Sequence, residues 1–126
     1  MNPPDPADDG LVTFETARRI ALALPGVEEG TSYGTPAFRV AKKFFARLKE
    51  DGESLVVKVG FYERKYMMEA EPEVFYITDH YRDYPAVLVR LPAIRAERLR
   101  EVLEDAWRAL APRRLVAEYD RRAPSA

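Results

Sequence analysis

Apolar and polar positions change period along the chain, and each change marks an element. Phe14, Ala17, Ala21 and Leu24 fall on one stripe with Ile20 beside it, which predicts a helix over residues 14–24. Thr13 is placed to cap it, and Pro25-Gly26 ends it. Residues 27–36 read as a loop of defined path, with two glycines and a proline at close spacing. Three strands then follow, over 37–40, 44–48 and 54–59. The first two are joined by Ala41-Lys42-Lys43, the last two by Glu50-Asp51-Gly52-Glu53, and Asp-Gly between apolar runs is a strong hairpin signal. A second helix over 61–70 ends before Pro72. Leu99, Val102, Leu103, Ala106, Trp107 and Leu110 form the clearest helical stripe, and Pro112 opens a short terminal helix.

Between the second and third helices lies the stretch on which the rest is organised, FYITDHYRDYPAVLVRL. Two runs of strand composition, 75–78 and 86–90, flank a polar and aromatic turn that holds the only histidine, His80. The resulting order, α-β-β-β-α-β-β-α-α, predicts an α+β fold of two layers, a mainly antiparallel sheet with helices on one face. Strict alternation turns Phe38, Val40, Phe44, Ala46, Leu48, Leu55, Val57 and Val59 toward the helices. It leaves Arg39, Phe45, Arg47, Lys49, Val56 and Lys58 on an open, basic face, with Lys42 and Lys43 at its edge.

Composition narrows the function classes. With 126 residues there is room for one core. A single domain is expected over 11–122, after a disordered leader at 1–10 and before a tail at 123–126. Cysteine is absent, which excludes disulfides and thiolate chemistry and suits a cytoplasmic setting. No apolar run approaches membrane-spanning length. The net charge of −1 is unevenly spread: residues 31–68 and 85–126 are basic, while 1–30 and 69–84 are acidic. Any nucleic-acid binding must therefore come from a local patch.

Several separated segments resemble the MmcQ/YjbR family: ALPGVEEGTSYGTPAFRVAKKFFARL, DGESLVVKV, TDHYRDYPAVLVRL and AWRALAPRRLVAEYD. The resemblance implies a secretion-chaperone-like or frataxin-like fold. It also implies DNA binding by two hairpin loops acting as a double wing, which map to 41–43 and 50–53. The first of these is basic and the second carries three acids.

No catalytic constellation is expected. The serines lack a nucleophile-elbow context, and Asp79 and His80, being adjacent, are poorly placed to face each other. Glu69, Glu71, Glu73, Asp79, His80 and Asp83 have no metal-ligand spacing, and neither metal nor cofactor is expected. Three readings follow. The first is a non-enzymatic DNA-binding protein using Arg39, Lys42, Lys43, Phe45, Arg47, Lys49 and Lys58, because cations with an aromatic suit phosphate contact and base stacking. The second is a protein–protein interaction module or homodimer through the same face or its edge. The third is a ligand pocket formed by Tyr33, Asp79, His80 and Tyr84.

Overall fold

The computed structural model describes residues 11–122; the leader expected at 1–10 and the tail at 123–126 lie outside the described residues. Helix α1 (Phe14–Leu22) leads into four strands, β1 (Val27–Ser32), β2 (Thr35–Val40), β3 (Lys43–Leu48) and β4 (Ser54–Lys58). Then come α2 (Phe61–Ala70), β5 (Phe75–Tyr76), β6 (Ala86–Arg90), α3 (Ala96–Leu110) and α4 (Arg113–Arg122). The strands form one antiparallel sheet in the order β1-β2-β3-β4-β6-β5. No helix among the described residues is long and apolar enough to cross a membrane.

Most predicted elements are present, and the class is α+β as the pattern indicates. The main core lies between the sheet and the helices. Leu99, Val102, Leu103, Ala106 and Trp107 of α3 pack with Ala17, Ile20 and Ala21 of α1 over Phe38, Val40, Leu55 and Val57. Trp107 is fully buried, and its Nε1–H donates to the carbonyl oxygen of Pro25 at 2.9 Å. The helical stripe thus ties α3 to the end of α1 by a polar as well as an apolar contact. Gly26 has a positive φ of 74° and lies against Leu115, so a side chain there would meet both strain and a clash.

Three expectations need correction. Residues 27–36 are not a loop: they form β1, a two-residue turn and the start of β2. β1 is the sheet's edge, and its sequence VEEGTS is polar because four of its six residues are exposed. The turn is Tyr33-Gly34, both with positive φ, as a type I′ hairpin requires.

The second correction concerns faces. Opposite Phe38 and Arg39 stand Ala46 and Phe44, so Phe45 is an extra residue, a β-bulge in β3. Phe45 therefore turns into the helix-side core with Ala46, fully buried, and Phe44 takes the other face. The alternation breaks at the bulge, and the two phenylalanines exchange sides.

Third, the second sheet face is not open throughout. The turn after β5 folds back over it, and Tyr81 packs on Val56, Ala86 and Leu88, with Phe44, Tyr76 and Ile77 around them. Sheet positions bearing apolar side chains on both faces need cover on both. The turn supplies it over β4 and β6.

Candidate functional site

The folded-back turn is the wall of a cleft on the second sheet face, with a volume of about 600 Å³. The opposite wall is the β1–β2 hairpin tip, Ser32 and Tyr33. Phe44, Arg47 and Val56 from β3 and β4 line it between them, and His80, Tyr81 and Tyr84 come from the turn. Glu50, from the β3–β4 turn, completes the lining.

Each wall has a local cause. Tyr33 sits at φ 54°, the left-handed region that the type I′ turn imposes, and is 82% exposed. The turn 77–84 contains one 3-10 helical turn at Asp79–Tyr81. It is held from outside by Arg64 of α2, only 8% exposed. Arg64 Nη1 donates to the carbonyl oxygens of Tyr81, Tyr84 and Ala86, and Nη2 to that of Arg82, at 2.9–3.1 Å. A planar guanidinium with several donors suits a cluster of carbonyls that a lysine could not span.

Arg47 is the cleft's buried cation, 6% exposed. Its Nη2 donates to Tyr81 Oη at 2.9 Å, and Nη1 to Leu48 O and Thr35 Oγ1 at 3.2 and 3.3 Å. The guanidinium lies 5.1 Å from the centre of the Tyr33 ring. Glu50, largely exposed, approaches Nη1 at 3.5 Å. Its carboxyl is held below the usual range, first by its own backbone amide and then by Arg47, against the cost of burial. A buried charge with three uncharged acceptors and one exposed counterion is compensated chiefly by hydrogen bonds.

The predicted site residues divide. Tyr33, His80 and Tyr84 line the cleft together; Asp79 does not line it, and its carboxylate is paired with Arg82 at 2.8 Å. His80 is exposed and packs edge-on against Tyr81, with ring centres 5.0 Å apart. Of the basic-face residues, Phe45 is in the opposite core, and Arg47 is buried rather than offered to solvent. Lys49 stands at the acidic turn, whose Asp51 accepts hydrogen bonds from the amides of Glu53 and Ser54. Arg39, Lys42 and Lys58 gather toward the other end of β3 on this face; Lys43 stands at the same end but is paired with the core residue Val40, so it turns to the helix side. None of these four is in an ion pair among the described residues. Lys58 lies over the ring of Tyr84, 5.7 Å from its centre, which links the cationic end to the cleft. Glu28 is the cross-strand neighbour of Arg39 and tempers this charge.

The double-wing arrangement is not what the topology builds. Successive hairpins turn at opposite ends of the strand they share, so 41–42 and 49–53 are separated by the length of β3, roughly 17 Å. The second face is therefore polar along β3, cationic at one end and acidic at the other. The sequence pattern hides Phe44, through the bulge, Tyr81, whose partners are distant, and Arg64, one of four charges on α2 with nothing to set it apart. Among the described residues no three His, Cys, Asp or Glu side chains gather as a metal site.

Comparison with known proteins adds the following. A family model described as YjbR matches residues 22–109. Proteins of Mycobacterium bovis and Mycobacterium tuberculosis, each named only as an uncharacterized protein, are 32% identical over 127 aligned residues, covering 86% of this chain and 96% of theirs. A crystal structure of a Deinococcus radiodurans protein with the domain DUF419 superposes with a TM-score of 0.68. It is 21% identical, covering 86% of this chain and 88% of that one, and so supports the fold.

Proposed function

Because the chain belongs to the YjbR family, we propose that it is a non-enzymatic DNA-binding protein that holds phosphates at the cationic end of its second sheet face. The observation that carries this reading is the grouping of Arg39, Lys42 and Lys58 beside an aromatic cleft, with Lys43 at the same end of β3, none of them in an ion pair among the described residues. Unpaired cations on one surface are what phosphate contact requires, and they position a nucleic acid without reading its sequence. Glu28 and the acidic 50–53 turn oppose the field, so the affinity is expected in the micromolar class. The non-enzymatic part rests on the titratable groups of the turn. Asp79 is paired with Arg82, the exposed His80 ring packs edge-on against Tyr81, and no hydrogen bond joins Asp79 to His80 among the described residues, so they are not set as an acid–base pair.

Titration with DNA at several salt concentrations tests the proposal. Up to four phosphate contacts give a log–log slope of about −3 to −4. Replacing Lys42 and Lys43 together by Ala should flatten it by up to about two units and weaken all DNA sequences alike. Absence of binding to single- and double-stranded DNA at about 50 mM salt, where electrostatic attraction is strong, would overturn it.

A second reading is a homodimer or protein partner through the same face or the unpaired β1 edge, and it is favoured by the exposed ring of Tyr33. It predicts a concentration-dependent mass in sedimentation that the Lys42/Lys43 double variant leaves unchanged.

A further inference from the structure

The cleft has features that phosphate contact does not use, and they point to a more specific ligand. We infer that it receives an unpaired nucleobase of the bound strand, stacked against Tyr33 and Tyr84 over Phe44, so that the protein prefers single-stranded to duplex DNA. This rests on the DNA-binding reading above.

Four observations converge. The volume, about 600 Å³, is that of a small-molecule site and accommodates a base with its sugar. The walls are aromatic on both sides, Tyr33 on one and Tyr84 on the other, with Phe44 between. Every base has a π-face, so such a platform takes any of them. Arg47 brings a positive charge to the cleft, anchored by Tyr81, Thr35 and the Leu48 carbonyl and approached by the exposed Glu50 carboxylate at 3.5 Å; it suits the electronegative oxygens and nitrogens of a base edge.

The fourth is Tyr33 itself. The first position of a type I′ turn favours Asn, Asp or Gly, and a bulky residue there stores backbone strain. Packing does not require the ring, which is 82% exposed and lies over Arg47. A strained, exposed aromatic at the rim of a cleft is a contact awaiting a partner rather than a part of the core. Lys58, over the Tyr84 ring, then places a cation next to the stacked base, where the strand's own phosphate would lie. In a duplex the bases are paired and stacked inside and cannot enter.

The test is an anisotropy titration of the full chain with three probes of about 12 nucleotides. They are a thymidine single strand, its duplex, and an abasic strand with the same number of phosphates. The single strand should bind roughly 5- to 150-fold more tightly than the abasic strand, the range that one stacked base supplies. Tyr33→Asn should abolish that margin while leaving abasic binding unchanged. It creates Asn-Gly, the favoured pair for this turn, so its melting temperature should not fall. Tyr84→Leu repeats the test from the other wall, since Arg64 holds that residue by its backbone. Equal affinity for the three probes, or a margin that survives both substitutions, would overturn the base pocket. Salt-dependent binding lost in the Lys42/Lys43 variant would, in that case, leave the phosphate reading standing. No binding to any probe would overturn both.

Discussion

Arg47 and Tyr81, thirty-four residues apart, meet in a buried hydrogen bond of 2.9 Å between Nη2 and the phenolic oxygen. This bond joins β3 to the turn that covers it. Tyr81→Phe keeps the ring in its cluster with Val56 and Leu88 and removes only the acceptor. Hydrogen bonds to charged groups contribute about 1.5–3 kcal/mol, so the variant should lose that much stability. A urea midpoint that falls with an unchanged m-value would verify it; an unaltered midpoint would mean that water replaces the phenol freely.

Trp107 allows a two-step comparison. Trp107→Ala should cost about 3–5 kcal/mol through lost burial and a cavity beneath α1 and α4. Trp107→Phe keeps most of the bulk but orphans the buried Pro25 carbonyl, at about 1–3 kcal/mol. Chemical denaturation should therefore rank wild type above Phe above Ala.

The turn between β2 and β3 sets stability against the proposed DNA binding. Ala41 and Lys42 both have positive φ, 52° and 67°, where a Cβ is unfavourable. Ala41→Asn with Lys42→Gly supplies the preferred type I′ pair and should stabilise the fold by about 1 kcal/mol. The same change removes one of the four cations. A thermal melt should rise while the salt slope of DNA binding flattens by about one unit. A melt that fell would show the turn to be held by contacts other than its backbone.

Acid should weaken the β3–β4 turn. Burial works to raise the Asp51 carboxyl, but the amides of Glu53 and Ser54 and the Ser54 hydroxyl outweigh it and hold it below the ordinary value. The folded state thus binds this proton less readily than the unfolded state. The stability it contributes is present above about pH 4 and is lost as pH falls through the lower, folded value. Asp51→Asn keeps an acceptor for the amides but no titration. Its denaturation midpoint should lie below that of wild type at pH 7 and converge on it as acid protonates Asp51 in the folded state.

Much of the fold is legible in the chain because burial on one face writes a period. The α3 stripe, the Asp-Gly hairpin and the paired runs at β5 and β6 all follow from it. β1 escaped because an edge strand buries little, so Glu28, Glu29 and Thr31 leave no alternation to read. The faces of Phe44 and Phe45 exchanged because one inserted residue shifts a period of two, and two adjacent phenylalanines give no hint where the insertion falls. Tyr33, His80 and Tyr84 were recognisable as aromatics near turns, and three turns meeting is what makes them a cleft. Arg47 reads in the sequence as a surface cation and Arg64 not as a site residue at all, and the burial of both is hidden, since an arginine's burial depends on acceptors brought from distant positions.

Arg64 has a consequence for the order in which the molecule assembles. The turn's own backbone hydrogen bonds span only two or three residues, whereas Arg64 reaches across 17 to 22 positions to fasten it. That fastening can close only after α2 has docked, so it belongs late on the folding pathway. Arg64→Met should leave the folding rate nearly unchanged and speed unfolding, the pattern of a contact absent from the transition state. The wall of the cleft would then be the last piece to set and the first to open. Native-state hydrogen exchange should find the amides of Tyr81, Arg82 and Tyr84 opening well before those of α3.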